Sequence, residues 1–169
     1  MDRARFSQLV ACEQESLRRL LLALCLGNQP LADDLAQETL VKAWLSCANY
    51  KDEGRFTAWI YRIAYHTFID HQRSLHPTAP LSTAREVPAD GATDAAFRYE
   101  ALYAALALLP QRERTALLLF YLKGYSAREI SGIMECSEDA VKKHLQRGRE
   151  HMRTTMDKDG TGRQTKGDI

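Results

Sequence analysis

A twelve-residue stretch near the C-terminal end concentrates positive charge. Between Lys142 and Arg153, five lysines and arginines face a single acid, Glu150, so this window has a net charge of +4. Lysine and arginine neutralise phosphates, and arginine, lysine and glutamine can address base edges in a major groove. The stretch therefore predicts nucleic-acid binding. The alternative interpretation is a solvated basic face that closes a small helical bundle.

A second group of charged side chains lies near residue 35. Asp33 and Gln37 are four residues apart, as are Asp34 and Glu38, so each pair shares one side of a helix. Such a face suits a basic protein partner. A merely solvated acidic face is the first alternative, and an enzyme that uses these carboxylates is the second. Because no histidine or second acidic cluster stands at suitable spacing, we expect that the protein is not an enzyme.

The cysteines and the apolar segments give mainly exclusions. The four cysteines, at positions 12, 25, 47 and 136, form no Cys-x-x-Cys pair and have no histidine at metal-ligand spacing. We expect them to be small core residues in a reducing compartment, and we expect no metal or other cofactor. The N-terminus has no secretory pattern, and the longest apolar run has nine residues, against ~18 for a membrane span. A cytoplasmic protein is the prediction.

Helices must position these groups in the first half of the chain. Apolar residues at spacings of three and four predict a helix that stops at Gly27, and a second helix begins near Pro30. A third runs from Phe56 to about Arg73. No alternating strand pattern of convincing length is present. The first half therefore predicts a bundle of about three helices.

The chain divides at residues 74–95, which hold three of the five prolines and follow no helical or strand period. Such a composition is typical of a flexible linker. Ser126 and Glu129 form a capping-box pattern, and Ser137 is a helix N-cap. We expect an all-α protein of two small helical domains, with four helices in the second at about 95–109, 111–122, 127–134 and 138–153. The predicted parts are a domain over 1–73, the linker 74–95, a domain over 96–156 and a disordered tail over 157–169.

Residues 127–151 have the order of a helix-turn-helix, with a short helix, a tight turn and a second helix. On the second helix, one buried stripe is expected, made by Val141, Leu145, Gly148 and Met152. The opposite side of that helix then carries the basic residues. This arrangement favours DNA binding through the second helix.

Two blocks of the sequence resemble a known family. Residues 111–150 resemble region four of a sigma factor through Leu109-Pro110, Gly124-Tyr125-Ser126, Glu129-Ile130, Val141-Lys142 and Arg147-Gly148-Arg149. Residues 33–44 (DDLAQETLVKAW) resemble the core-binding segment of region two, and residues 55–64 (RFTAWIYRIA) resemble the segment that follows it. These blocks, in this order on either side of a short linker, resemble the small extracytoplasmic-function (ECF) sigma factors of the sigma-70 family.

The resemblance implies a protein that binds core RNA polymerase, directs it to promoters through the −10 and −35 elements, and promotes initiation under the control of an anti-sigma factor. Neither a small-molecule substrate nor membrane insertion is implied. The implied polymerase-binding residues are Asp33, Asp34, Gln37, Glu38 and Val41. The implied −10 residues are Asn49, Tyr50, Lys51, Asp52, Arg55, Tyr61, Arg62, Tyr65, His66 and Arg73. The implied −35 residues are Arg128, Ser137, Lys142, Lys143, Gln146 and Arg147.

One position departs from the family pattern. The chain has Tyr65-His66 where the family often has a basic or apolar residue followed by Asn. The base contact of that Asn is therefore not carried over to this chain. The remaining alternative function is a helix-turn-helix regulator whose N-terminal bundle senses a ligand or dimerises.

Overall fold

The computed structural model describes residues 1–51, 55–75 and 94–161. Within them, seven α-helices follow in order: α1 Arg3–Leu24, α2 Gln29–Ser46, α3 Phe56–Leu75, α4 Asp94–Ala107, α5 Gln111–Leu117, α6 Ala127–Met134 and α7 Glu138–Thr161. A 3₁₀ turn, Cys47–Asn49, follows α2, and α5 continues as a π-helical turn over Leu118–Leu122. These residues contain no strand, which confirms the all-α prediction. The predicted linker residues 76–93 and tail residues 162–169 lie outside the described residues.

The turn between α1 and α2 depends on a glycine. Leu26 and Gly27 both have positive φ, at 54° and 85°, and this reverses the chain directly after α1. A Cβ on Gly27 would lie 3.0 Å from Cε2 of Tyr103, which belongs to α4. Both the backbone angle and this close approach disfavour a larger residue. The predicted helix stop at Gly27 is therefore confirmed, and it also serves as a contact between the two halves of the chain.

Helices α1, α2 and α3 pack into the first bundle. Asn28 caps α2 by accepting the Leu31 amide at 3.2 Å, and Pro30 stands in the first turn as predicted. Fully buried side chains from all three helices fill the centre: Leu17, Leu21, Leu24, Leu35, Ile60 and Phe68. An aromatic cluster closes one end of the bundle, with Phe6, Trp44, Tyr50, Phe56 and Trp59 in ring contact.

The second bundle contains α4 to α7, and its helix-turn-helix has the predicted form. The capping box of Ser126 and Glu129 is present at the start of α6. Ser137 accepts the Ala140 amide at 3.1 Å at the start of α7. The predicted stripe on α7 faces inward: Val141, Leu145 and Gly148 are buried and Met152 is half-buried. Helix α5 packs against this stripe.

A buried arginine joins the C-terminal ends of α1 and α4. Arg114 on α5 is 4% exposed. It donates hydrogen bonds to the carbonyls of Leu106 at 3.0 Å, Leu109 at 3.3 Å and Leu24 at 3.4 Å. These carbonyls belong to the last turn of α4, the residues after it and the last turn of α1, where helical carbonyls lack partners within the helix. Burial lowers the pKa of the Arg114 guanidinium to about 10, so it is still charged at neutral pH.

The two bundles share one contiguous core. Helix α3 packs against α6, and α1 packs against the π-helical turn after α5. The sequence predicted two units on a tether, and the periodicity of each half gave no sign that the halves contact each other. The reason is that side chains such as Tyr61 and Tyr125 have polar tips that fit a solvent-facing surface equally well. In the structure their rings meet edge to face at 5.9 Å.

Two predictions need correction. Helix α7 continues to Thr161, so residues 157–161 are helical rather than part of a disordered tail. Met156 extends the apolar side of α7 past the predicted helix end at residue 153, and it lines a groove against α4 and α5 together with Met152. The cysteines are also not uniformly core residues, because Cys12 is exposed and Cys136 is half-buried. Cys25 and Cys47 are buried as expected, and burial raises the pKa of the Cys25 thiol to about 12.

Candidate polymerase-binding and nucleic-acid-binding surfaces

The outer side of α2 carries the predicted polymerase-binding residues. Four of the five are exposed there: Asp34, Gln37, Glu38 and Val41. Asp33 is half-buried, and its carboxylate accepts a hydrogen bond from the Gln29 side-chain amide at 3.0 Å. Lys42 pairs with Glu38 at 2.7 Å, which neutralises part of the acidic character. The face therefore combines acids with an apolar side chain.

Sequence reasoning missed one member of this face. Leu45 is 75% exposed, one turn beyond Val41, which is itself 58% exposed. The spacing of four residues from Val41 was the available signal, but the resemblance ended at Trp44. An apolar side chain that stays exposed beside acids is typical of a protein-binding surface. We call Asp34, Gln37, Glu38, Val41 and Leu45 the α2 ridge.

The predicted −10 residues of the loop before α3 differ in their exposure to solvent. Asn49, Lys51 and Arg55 are exposed, and Asp52 lies outside the described residues. Tyr50 is half-buried, with its ring 4.7 Å from Trp59 and 6.0 Å from Phe56. The loop therefore presents two cations to solvent beside a partly accessible aromatic pair.

The predicted −10 residues of α3 are largely covered by the second half of the chain. Tyr61 is 1% exposed and Tyr65 is 7% exposed, so neither reaches solvent here. Arg62 forms an ion pair with Glu135, and Nε2 of His66 lies 2.7 Å from the same carboxylate. Burial and the neighbouring guanidinium of Arg62 lower the pKa of His66. Arg73, near the end of α3, is exposed.

The predicted −35 residues form an open basic face. All six are exposed: Arg128, Ser137, Lys142, Lys143, Gln146 and Arg147. The last four lie on the side of α7 opposite the buried stripe of Val141 and Leu145. Glu138 pairs with Lys142 at 3.3 Å in the first turn, where an acid also complements the helix dipole. A helix with one side buried and the other cationic is suited to a DNA groove.

Arg149 belongs to the basic stretch but contributes to a different surface. Its Nε donates to the Tyr121 hydroxyl at 2.7 Å, and its guanidinium lies over the rings of Phe120 and Tyr121 at 5.4 and 5.6 Å. These contacts hold it against the π-helical turn. The charge count of the sequence treated all five cations alike, whereas the fold separates Arg149 from the exposed α7 face.

Two concave surfaces adjoin these residues. A cleft of about 940 Å³ lies between the start of α3 and α6, with four cations among its lining residues: Lys51, Arg55, Arg62 and Arg128. An apolar groove of about 690 Å³ lies between α4, the π-helical turn and α7, lined by Leu102, Leu106, Leu118, Leu122, Met152 and Met156. Sequence reasoning did not find the groove, although the exposed Leu122 is a sign that this surface is not fully packed. Within the described residues, no cluster of histidine, cysteine and acidic side chains could hold a metal ion, and no helix has the length and apolarity of a membrane span.

Comparison with known proteins identifies the family of the chain. The sigma-70 region 2 family matches residues 9–77, and the sigma-70 region 4 family matches residues 99–152. The ECF RNA polymerase sigma factor SigF of Caulobacter vibrioides is 33% identical over 148 residues, which cover 86% of this chain and 82% of SigF. This chain belongs to the ECF RNA polymerase sigma factors. SigW of Bacillus subtilis, another ECF sigma factor, is 29% identical over 170 residues, covering 92% of this chain and 90% of SigW.

Solved structures show the same fold as this sigma factor. CnrH, in complex with the cytosolic domain of CnrY, matches with a TM-score of 0.73 and 22% identity over 94% of this chain and 91% of CnrH. RpoE of Bartonella quintana, in complex with the anti-sigma factor NepR, matches with a TM-score of 0.72 and 22% identity over 90% of this chain and 97% of RpoE. The sequence-based recognition of the family is therefore confirmed.

Proposed function

We propose that this sigma factor binds core RNA polymerase through the α2 ridge, and that it directs the enzyme to promoters through α3 and α7. The observation that carries the proposal is that two separate surfaces of fitting chemistry occur on the two sigma regions of one chain. Region two carries an exposed acidic and apolar face, and region four carries an exposed cationic helix. The chain then acts by binding alone, in the cytoplasm, with residues 1–73 and 96–156 as its two functional units.

For the −35 element, α7 is the reading helix. Lys142, Lys143, Gln146 and Arg147 present donors from one exposed side, and Ser137 and Arg128 are placed to contact phosphates. An arginine that binds guanine in two-point fashion contributes about 1–3 kcal/mol of discrimination against the wrong base. Most of the other cations contribute affinity that is independent of sequence and falls with salt.

For the −10 element, the loop before α3 and the exposed side of α3 are the proposed contact surface. Lys51 and Arg55 supply phosphate contacts, and the neighbouring Tyr50 and Trp59 supply aromatic faces that are half-accessible. Taking a base out of the duplex stack costs a few kcal/mol, and stacking on an aromatic ring offsets about 1–3 kcal/mol per base. Region two thus helps to nucleate melting only at sequences whose extruded bases it can hold.

Control by an anti-sigma factor is the regulatory part of the proposal. Two proteins that share this fold were solved in complex with anti-sigma or cytosolic partner domains. The apolar groove beside α7 is suited to the apolar side of a helix from such a partner. Arg149 and Arg153 border the groove and favour a partner helix that has acids beside its apolar residues.

The direct test is transcription from a randomised promoter library by core RNA polymerase with and without this protein. We expect initiation at a restricted set of templates that share two sequence elements separated by a fixed spacing. Size-exclusion chromatography of the protein with core enzyme should give a stoichiometric complex. A protein that never co-elutes with core enzyme, and yet binds one duplex sequence by itself, would instead be a helix-turn-helix regulator.

A further inference from the structure

The cleft between the start of α3 and α6 combines features that suit a small anionic ligand. Its volume is about 940 Å³, and its walls come from the two halves of the chain. Small-molecule sites in proteins typically measure about 300–1,000 Å³. The cleft is therefore large enough to hold a nucleotide.

The described lining residues of the cleft have an excess of positive charge. Lys51, Arg55 and Arg62 come from region two and Arg128 comes from region four, against one acid, Glu129. Four positive charges against one negative charge leave a net charge of +3. A concave surface of one charge sign concentrates small ions of the opposite sign.

The acid of the cleft already has partners. The Glu129 carboxylate accepts hydrogen bonds from the Ser126 amide at 2.8 Å and from the Ser126 hydroxyl at 3.0 Å. These bonds lower the pKa of Glu129, with a smaller contribution from the charge of Arg55 on the opposite wall. Glu129 is therefore ionised at neutral pH and held at the start of α6, where it offsets one cation only.

Three of the four cations form no ion pair within the described part of the chain. These three are Lys51, Arg55 and Arg128. The fourth, Arg62, pairs with Glu135. Asp52 and Glu53 stand between the first two cations in the sequence and lie outside the described residues. Because the three cations come from both walls, an anion with several charges would contact region two and region four at once.

Aromatic rings line the same cleft. Tyr50 and Trp59 are half-buried, and their ring centres lie 4.7 Å apart with 39° between the ring planes. An aromatic ring provides a stacking surface for a base, and each stacked base strengthens binding by about fivefold to 150-fold. A simple inorganic anion would leave these rings unused, whereas a nucleotide would use both the rings and the cations.

A glycine leaves the region-four wall of the cleft open. Gly132 of α6 lines the cleft and is exposed, and a Cβ at this position would meet no atom within 4 Å. A side chain introduced here would therefore project into the cleft without a clash at its first carbon.

We propose that this cleft binds a nucleoside triphosphate, with the phosphates on Lys51, Arg55 and Arg128 and the base against Tyr50 and Trp59. A DNA strand carries one phosphate per base, whereas the cleft places three unpaired cations beside one pair of rings. A triphosphate, with three phosphates on one base, matches this ratio. The inference does not rest on the proposed function, because the binding is a property of the chain without polymerase.

The experiment is isothermal titration calorimetry of the full chain, without polymerase, against four ligands. These are ATP, GTP, guanosine and inorganic tripolyphosphate. We expect one triphosphate to bind per chain, with similar affinity for the two bases and with weaker binding at higher salt. Tripolyphosphate should bind at least about fivefold more weakly because it has no base to stack, and guanosine should give no measurable binding.

Four variants locate the ligand. Arg55→Gln and Arg128→Gln each remove one solvent-exposed charge and should weaken GTP binding by about two- to fivefold. Gly132→Leu fills the cleft without a change of charge and should weaken binding by at least about tenfold, the size of a lost ring contact. Arg18→Gln, at an exposed arginine of α1 outside the cleft, makes the same change in net charge and should leave the affinity unchanged. Far-UV circular dichroism confirms that each variant is folded.

Several results would overturn the inference. Equal binding of GTP and tripolyphosphate would show that the base is not recognised, and an equal loss in Arg18→Gln would show that the attraction is not confined to the cleft. Unchanged affinity in Gly132→Leu would place the ligand elsewhere. A DNA trinucleotide with a 5′-phosphate carries three phosphates on three bases, and binding as tight as that of GTP would mean a site for a strand. None of these outcomes affects the proposed function, which the promoter library tests separately.

Discussion

Replacement of Arg114 by methionine tests how strongly the buried arginine holds the helix ends together. Methionine preserves most of the aliphatic bulk of the arginine side chain but removes its five donors. The carbonyls of Leu109 and Leu24 would then lose the guanidinium as a partner in a buried site, and the Leu106 carbonyl would keep only its bond from the Leu109 amide at 3.1 Å. The outcome depends on two opposed effects, of which the loss of hydrogen bonds is the larger.

The first effect is the loss of the hydrogen bonds. The bond to Leu106 has good length at 3.0 Å, and a hydrogen bond to a charged group contributes about 1.5–3 kcal/mol. The bonds to Leu109 and Leu24, at 3.3 and 3.4 Å, are weaker, and we assign them about 1 kcal/mol each from the neutral range. The lost interactions therefore amount to about 4 kcal/mol.

The second effect is that the variant no longer buries a charge. Burial lowers the pKa of Arg114 from 12.5 to about 10, which shows that desolvation of the guanidinium is only partly compensated. Its relief offsets about 1–2 kcal/mol of the loss, well under the idealised cost of a fully isolated ion. The net expectation for Arg114→Met is a destabilisation of about 2–3 kcal/mol, or a fall in Tm of roughly 4–12 °C for a chain of this size.

The measurement is unfolding in guanidinium chloride and by heat, followed by far-UV circular dichroism. Arg112→Met is the matched control, because Arg112 is exposed two residues earlier on the same helix and should change stability by less than about 0.5 kcal/mol. Equal stability of Arg114→Met and the unchanged protein would refute the reasoning. It would mean that the three carbonyls find other partners, or that desolvation of the guanidinium outweighs its hydrogen bonds.

Four other predictions concern the surfaces, the first turn and a histidine. Arg147→Ala should lower the free energy of promoter binding by about 1–3 kcal/mol and relax the base preference at one −35 position in a promoter library. Unchanged selectivity would mean that the side chain contacts phosphate or solvent. Leu45→Asp should weaken binding to core polymerase at least tenfold in a titration. Leu108→Asp, the same change at another exposed leucine, should leave binding unchanged. Equal effects of the two variants would contradict the proposal that the α2 ridge binds polymerase. Gly27→Ala should lower stability by about 1–3 kcal/mol in chemical denaturation, because φ is +85° and the added Cβ would lie 3.0 Å from a tyrosine ring; an unaffected midpoint would show that the turn adapts. Burial lowers the pKa of His144 in the folded protein, so the unfolded chain binds more protons just below pH 6.5. The free energy of unfolding should therefore fall on acidification through that range. His144→Gln should remove this part of the pH dependence, and an unaltered profile would count against the reasoning.

Local patterns were sufficient where the deciding interactions are short in sequence. The capping box of Ser126 and Glu129 joins residues three apart, and the stop at Gly27 follows from one backbone angle. The stripe of α7 repeats at helical spacing, so the buried side of this helix was predictable from the sequence alone. For the same reason α6 has the predicted limits, 127–134.

The candidate site was predictable only in part. The exposed cations of α7 and the acids of α2 stand where the periodicity placed them, because each lies opposite an apolar stripe on its own helix. The π-helical end of α5 and the apolar groove beside it were not predicted. The groove is formed where Leu118 and Leu122 lie beside residues of α4 and α7, which no local pattern records.

The sequence by itself therefore determined the seven helices in outline, the helix-turn-helix, the charge of each face and the family. Only the tertiary structure decided that Tyr61 and Tyr65 are buried, that Arg149 belongs to the groove and that Glu135 engages Arg62 and His66. The physical reason is that a polar or amphipathic side chain on a helix surface is equally compatible with water, DNA or another part of the chain. Which of these it meets is set by contacts between residues as many as 107 positions apart, such as Lys123 with Ser16.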